Sequence, residues 1–320
     1  MDDDHWRARA GVPRSRGVLA PRPGDPPLTA GGALDAPPAD APVRMARIAA
    51  APGVAELVRH YWIPRWRLAP GTSVTQRVLE YPTANLVIDE HSIAVHGTAV
   101  GLGTKRLEGR GWAFGVLLQP GAAGALTGRA PRALVARSEP LRDLPGVDAM
   151  RDLVREHVAA GDDADAVAAF ERWLVGLGLE VGEDARLVRE LVARAEEDRS
   201  LMRVDRLAEL AGVGVRQLER IVRDELGLTP KWLIRRYRLQ EAAARLTAPD
   251  RPALGALAAE LGYADQAHFT REFQAVIGIP PGRYVREAAA AAASGSGATA
   301  TATTATATAT ATTATAGGRR

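Results

Sequence analysis

The sequence predicts an α+β chain. A β-rich N-terminal domain precedes an all-α domain of two helix-turn-helix units joined by a long helix. Two observations carry this reading. Between residues 45 and 138, short runs of β-branched and aromatic residues alternate with turn residues, the pattern of antiparallel strands. Between residues 183 and 287, a pair of short helices about a Gly turn occurs twice, and a repeated supersecondary unit is a far stronger signal than one hairpin. A length of 320 residues agrees with two domains.

Composition bounds the possibilities. With 46% hydrophobic and 25% charged residues, the chain is of the ordinary globular class. A net charge of +3 is too slight to argue for nucleic acid by itself. Cysteine is absent, which excludes disulfides, Cys-ligated zinc and a thiol nucleophile. No apolar run is long enough to span a membrane. Asp2, Asp3 and Asp4 stand where a secretory signal would be basic, and no apolar segment comes after them, so a cytoplasmic protein is expected.

Taken in order, residues 1–44 are rich in Pro, Gly, Ala and Arg without a helical or strand period, and are expected to be disordered. Residues 60–66, 73–80, 84–89, 92–97 and 112–120 are strand candidates whose spacing suits a small antiparallel barrel or sandwich. His60, His91 and His96 lie among them. His91 and His96 are five positions apart, which places them on opposite faces of a strand, so no metal site is expected there. Trp62, Trp66, Trp112 and Phe114 could line a pocket, but aromatics more commonly fill a core.

Residues 141–180 carry two helical periods. Met150, Leu153, Val154, His157 and Val158 form one, and Val167, Phe170, Trp173, Leu174 and Leu177 the other. Two such helices could make a dimer surface or cover the barrel of their own chain, and the sequence leaves both open. Gly176, Gly178 and Gly182 mark a linker. A helix over 185–198, with Leu187, Val188, Leu191 and Val192 inward, begins the second domain.

In the first repeat, Leu207, Ala208 and Ala211 precede Gly212, and Leu218, Ile221 and Val222 come after it. In the second, Leu254, Leu257, Ala258 and Leu261 precede Gly262. Asp265 then stands as an N-cap, Phe269, Phe273 and Val276 share one face, and Gln266, His268 and Arg271 lie on the other side. Each unit exits through a matching segment, GLTP at 227–230 and GIPP at 278–281. Pro230 is well placed to open the joining helix, which should reach about Leu246. Along it Lys231, Arg235, Arg236, Arg238 and Arg245 outnumber Glu241, and backbone phosphate contact is the expected use of Lys231, Arg235 and Arg236. Beyond Glu287 the Ala/Thr-rich chain is expected to be disordered.

The stretch GYADQAHFTREFQAVIGIPPGRY, residues 262–284, resembles the signature of the AraC/XylS family of bacterial transcriptional regulators, and the resemblance runs over residues 186–286. It implies that residues early in each second helix touch bases in the major groove. By position these are Arg216, Gln217, Glu219, Arg220 and Arg223 in the first unit, and Gln266, Ala267, His268 and Arg271 in the second. Glu219 and Ala267 depart from the Gln often found there, which bears on the sequence read and not on the mode of binding. Residues 115–128, GVLLQPGAAGALTG, resemble the end of the N-terminal domain in one branch of these regulators, which implies a cupin-like domain for sensing or association. The implied partner is double-stranded DNA, with a small-molecule effector, RNA polymerase and a second copy of the chain as further candidates. No cofactor, metal or catalytic group is expected. Two other classes fit less well. A β-barrel enzyme or small-molecule binding protein with an accessory helical module would need a constellation of chemical groups, which the chain lacks. A sequence-blind architectural protein would present a uniformly basic surface, whereas these faces carry side chains able to read base edges.

Overall fold

The computed structural model describes residues 29–31, 43–79, 81–98, 102–198, 201, 203–248 and 250–294. Its strands are β1 (Thr29–Gly31), β2 (Val43–Ala49), β3 (Val58–Arg67), β4 (Ser73–Leu79), β5 (Asn85–Ile88), β6 (Ile93–His96), β7 (Leu102–Glu108), β8 (Arg110–Trp112), β9 (Phe114–Leu118) and β10 (Ser138–Pro140). Seven of them run in the order β1-β2-β3-β9-β5-β6-β10, with β8 also paired to β3, while β4 and β7 form a separate two-stranded sheet. All pairings are antiparallel except β1 on β2.

All five strand candidates are strands, but the run over 112–120 breaks at Ala113 into β8 and β9. Three strands, β2, β7 and β10, carry too mixed a pattern to stand out. Part of the segment expected to be disordered is also ordered, since β1 lies within it and pairs Ala30 with Met45. The remainder of that segment lies outside the described residues.

The helices are α1 (Ala122–Thr127), α2 (Pro131–Leu134), α3 (Val147–Ala160), α4 (Asp163–Gly176), α5 (Glu183–Glu197), α6 (Val204–Ala211), α7 (Val215–Leu226), α8 (Pro230–Thr247), α9 (Leu254–Glu260), α10 (Gln266–Ile277) and α11 (Pro281–Ser294). Helices α3 and α4 pack on one face of the large sheet, where Met150, Val154, Phe170 and Leu174 meet Tyr61, Ile63, Leu86 and Phe114. The Phe170 ring lies 5.9 Å from Tyr61 and 5.8 Å from Phe114. Arg65 fastens the hairpin by an ion pair to Asp163 at 2.6 Å. Of the two uses the sequence left open for this hairpin, covering its own sheet is the one seen. Leu153, placed by period on the inner face, is instead an exposed residue.

The opposite face of the sheet meets the helical domain. Met45, Trp62, Val87 and Leu117, with Tyr81, share one core with Val188, Leu191 and Val192 of α5, Leu207 of α6, Leu218 and Ile221 of α7, and Leu233 and Tyr237 of α8. Charged contacts reinforce it. Arg59 reaches Glu196 at 2.6 Å, Tyr81 donates to the same carboxylate at 3.0 Å, and Arg132 of α2 reaches Asp224 of α7 at 3.3 Å. Gly227, just past α7, lies so close to Val135 and Arg132 that a Cβ there would collide with them. The second unit differs. Its core, from Leu239 and Leu246 through Phe269 and Phe273 to Tyr284, draws only on the second half of α8 and on the chain from α9 to α11. The first helix-turn-helix unit is therefore fused to the β-rich domain, and the second is carried on the far end of α8. Helix α11 also runs past Glu287 to Ser294, because alanine is the best helix former and the run extends a helix already begun. The rest of the Ala/Thr-rich segment lies outside the described residues.

Candidate nucleic-acid interface

Each unit is built the way its residues dictate. Helix α6 ends at Gly212 and α9 just before Gly262, both at positive φ (65° and 72°), where glycine turns the chain without strain. Leu218, Ile221, Val222 and Leu226 anchor α7, and Phe269, Phe273 and Ile277 anchor α10. Val276, expected on that inner face, is only partly buried, and Ile277 one position on takes the place. Helices α7 and α10 start differently. Asp265 caps α10 by accepting from the His268 backbone N–H at 2.6 Å, whereas Gly214 offers α7 no side chain. At the start of α8, Thr229 accepts from the Trp232 N–H at 3.1 Å.

With their apolar faces inward, α7 and α10 turn polar faces outward. Arg216, Gln217, Glu219, Arg220 and Arg223 are all exposed on α7, as are Gln266, Ala267, His268 and Arg271 on α10. Their electrostatic settings are unequal. Arg220 lies 3.4 Å from Asp224 and 3.8 Å from Asp184, so a carboxylate competes for it. Arg216 and Arg271 make no ion pair among the described residues. On α10, Glu272 holds the surroundings of His268. It lies 3.4 Å from His268 Nε2, receives Arg235 of α8 at 2.8 Å, and accepts from the Tyr263 hydroxyl at 3.4 Å. Tyr263 in turn meets the His268 ring edge-on at 5.3 Å. Glu272 is absent from the residues expected at the interface, although its i,i+4 spacing from His268 is a signal visible in the sequence.

The long helix corrects one expectation. Arg236 is buried at 2% exposure, hydrogen-bonded to Gln240 at 2.8 Å and stacked over the rings of Tyr81 and Tyr237, so it is not available to phosphate. Arg235 is engaged by Glu272, Arg238 lies over Tyr263, and Arg245 pairs with Glu260. The cause is that α8 is wrapped by both units and by the sheet, so almost every direction around it is covered. Lys231 alone of the three named cations is fully outward.

The strand histidines do not meet. His60 and His96 are buried on the face toward the helical domain, whereas His91 is exposed in the β5–β6 turn. Among the described residues one group has metal-ligand geometry, His157, Asp162 and Asp165 at the α3–α4 turn. Helix polarity accounts for it, a His in the last turn of α3 and acids at the start of α4. The tryptophans are core or rim. Trp62 is fully buried, and Trp66 and Trp112 are partly so. No helix among the described residues is long and apolar enough to cross a membrane.

Residues 207–287 match a family described as a helix-turn-helix domain, and residues 46–140 match one described as a domain of unknown function. An uncharacterized HTH-type transcriptional regulator of Haemophilus influenzae is 31% identical over 102 residues, covering 32% of this chain and 34% of that protein. The chain thus matches about a third of the length of this curated relative. Among solved structures, the C-terminal domain of AraT, a response regulator from Geobacillus stearothermophilus, aligns at 25% identity and a TM-score of 0.30, over 33% of this chain and 88% of that one. ToxT from Vibrio cholerae aligns at 11% identity and a TM-score of 0.34, over 77% of this chain and 96% of that one. The C-terminal part of the chain, residues 207–287, is an AraC-type helix-turn-helix domain.

Proposed function

We propose that the protein is a sequence-specific DNA-binding transcription regulator that places α7 and α10 in successive segments of one major groove. The observation that carries the reading is the pair of outward polar faces on tandem recognition helices, joined by an 18-residue helix. At ~1.5 Å per residue that helix is roughly 27 Å long, comparable with the ~34 Å of a helical turn of DNA. Arg216 and Arg271 are the favoured base readers, because no carboxylate among the described residues competes for them. Gln217, Glu219, Arg223, Gln266, Ala267 and His268 complete the reading faces, and Arg220 joins once DNA displaces Asp224. Lys231 is a phosphate contact.

Residues 45–180 act in this reading as a cupin-like sensing or association domain of a cytoplasmic regulator that does no chemistry of its own. A small-molecule effector there, RNA polymerase and a second copy of the chain are the further partners it admits. Footprinting of the full chain on DNA flanking its own gene tests the proposal. A protected site of about two helical turns supports it, and uniform protection of any DNA opposes it.

A further inference from the structure

The two faces of the N-terminal sheet differ in kind. The face toward α3 and α4 is apolar, with Ile63, Leu86, Ile88, Val95, Val116 and Leu118. On the other face the strand register sets His60 beside Leu117, Leu117 beside Asn85, and Asn85 beside His96. Arg47 stands on the same face, opposite Trp62.

Arg47, His60 and His96 are buried with side-chain nitrogens unpartnered among the described residues. His60 and His96 are 2% and 4% exposed, and the Nδ1 of each has no hydrogen-bond partner among the described residues. The same holds for Thr83 Oγ1 and for all three guanidinium nitrogens of Arg47. Among the described residues no carboxylate answers the Arg47 charge. Burial alone acts on it, lowering its pKa to about 10. The charged neighbours of His60 are also cations, Arg47 and Arg59, and Arg59 is already paired with Glu196. A buried guanidinium without a counter-charge is costly. Arg47 and His60 are neighbours, and two orphaned buried polar groups side by side mark a missing ion or ligand, whereas His96 lies three strands from His60. Trp62 gives the place a floor. Its ring lies flat over Gly115, where a Cβ would collide with it, and its indole N–H donates to Asn85 Oδ1 at 3.2 Å.

We propose that this face is the ligand site of the N-terminal domain and that it takes a small organic acid, whose carboxylate pairs with Arg47 and accepts from the neighbouring His60. The planar guanidinium fork fits the two oxygens of a carboxylate. This rests on the reading of the domain as a sensing domain. The same face shares its core with α5, so an acid bound there would sit at the junction with the first recognition unit.

The test is thermal unfolding of the full chain, without DNA, in acetate, benzoate and phosphate and in the neutral isosteres acetamide and benzamide, at matched ionic strength. The expected result is that a carboxylate raises the Tm, increasingly with concentration, and its amide does not. Arg47→Met should lose that response and, without ligand, melt no lower than the wild type, because an unpaired buried charge has been removed. Arg47→Lys, which keeps the charge without the fork, should respond only at higher concentration. The proposal is overturned if neither carboxylate stabilises beyond its amide, if phosphate does as well, if Arg47→Met keeps the response, or if its Tm falls without ligand. Because no DNA is present, such a failure leaves the DNA-binding reading standing.

Discussion

Arg235 of the long helix and Glu272 of α10 meet at 2.8 Å, and the same carboxylate lies 3.4 Å from His268. A cation expected to touch phosphate is thus engaged with α10 and with the carboxylate beside His268. Glu272→Gln keeps the shape and removes the charge. It should relax base preference in the half-site read by α10 and leave the other half unchanged. The stability loss should be below about 1 kcal/mol, since Arg235 is 40% exposed and solvent screens the pair. Binding to a randomised site library, with urea unfolding beside it, checks both; equal loss of preference in the two halves would contradict the assignment.

A second prediction concerns the shared core. Glu196 receives both Arg59 and Tyr81 across the junction, and its side chain is only 11% exposed. Glu196→Ala leaves the Arg59 charge stranded and should cost about 3 kcal/mol in urea unfolding, most of which Arg59→Met should restore in the double variant. Residues 183–287 expressed alone expose the α5–α7 surface that the sheet covers. That fragment should melt below the full chain and bind a hydrophobic dye, and it should keep the half-site read by α10 better than that read by α7. A fragment as stable as the full chain would show that the shared core carries no energy.

Acid should test the buried histidines. Burial holds His96 down at about 4 and His60 well below its ordinary value. Both are therefore neutral in the folded chain and take up protons more readily when unfolded. Their stabilising contribution is full above about pH 6.5 and is lost as pH falls toward the folded values. For His96 the difference is on the order of 3 kcal/mol across that window. Unfolding free energy measured from pH 7 to pH 4 should fall steeply, and His96→Asn should flatten part of the fall. An unchanged slope in that variant would assign the acid sensitivity elsewhere.

What could be read from the sequence was what is local. Gly212 and Gly262, the Asp265 cap and the spacing of Phe269 and Phe273 are short-range features, and each sits where periodicity put it. Orientation around a helix covered on several sides was not readable. Arg236 has the same neighbours in sequence as Arg235, yet it is buried against Tyr81, more than a hundred residues away. The fusion of the first unit to the sheet rests on pairs such as Arg59 and Glu196, which no spacing rule joins. The short helices α1 and α2 and the polar strand β7 carry too little period to stand out.

In the proposed function α7 and α10 read two segments of one groove. The most direct measurement is binding of Arg216→Ala and Arg271→Ala to a randomised site library at several salt concentrations, with Lys231→Ala as the phosphate control. Each arginine variant should lose ~1–3 kcal/mol of discrimination at one position, and the two positions should lie about one helical turn apart. Lys231→Ala should weaken all sequences alike and lower the salt slope by about one unit. Intact preference in both arginine variants, or loss at the same base pair in both, would contradict the account.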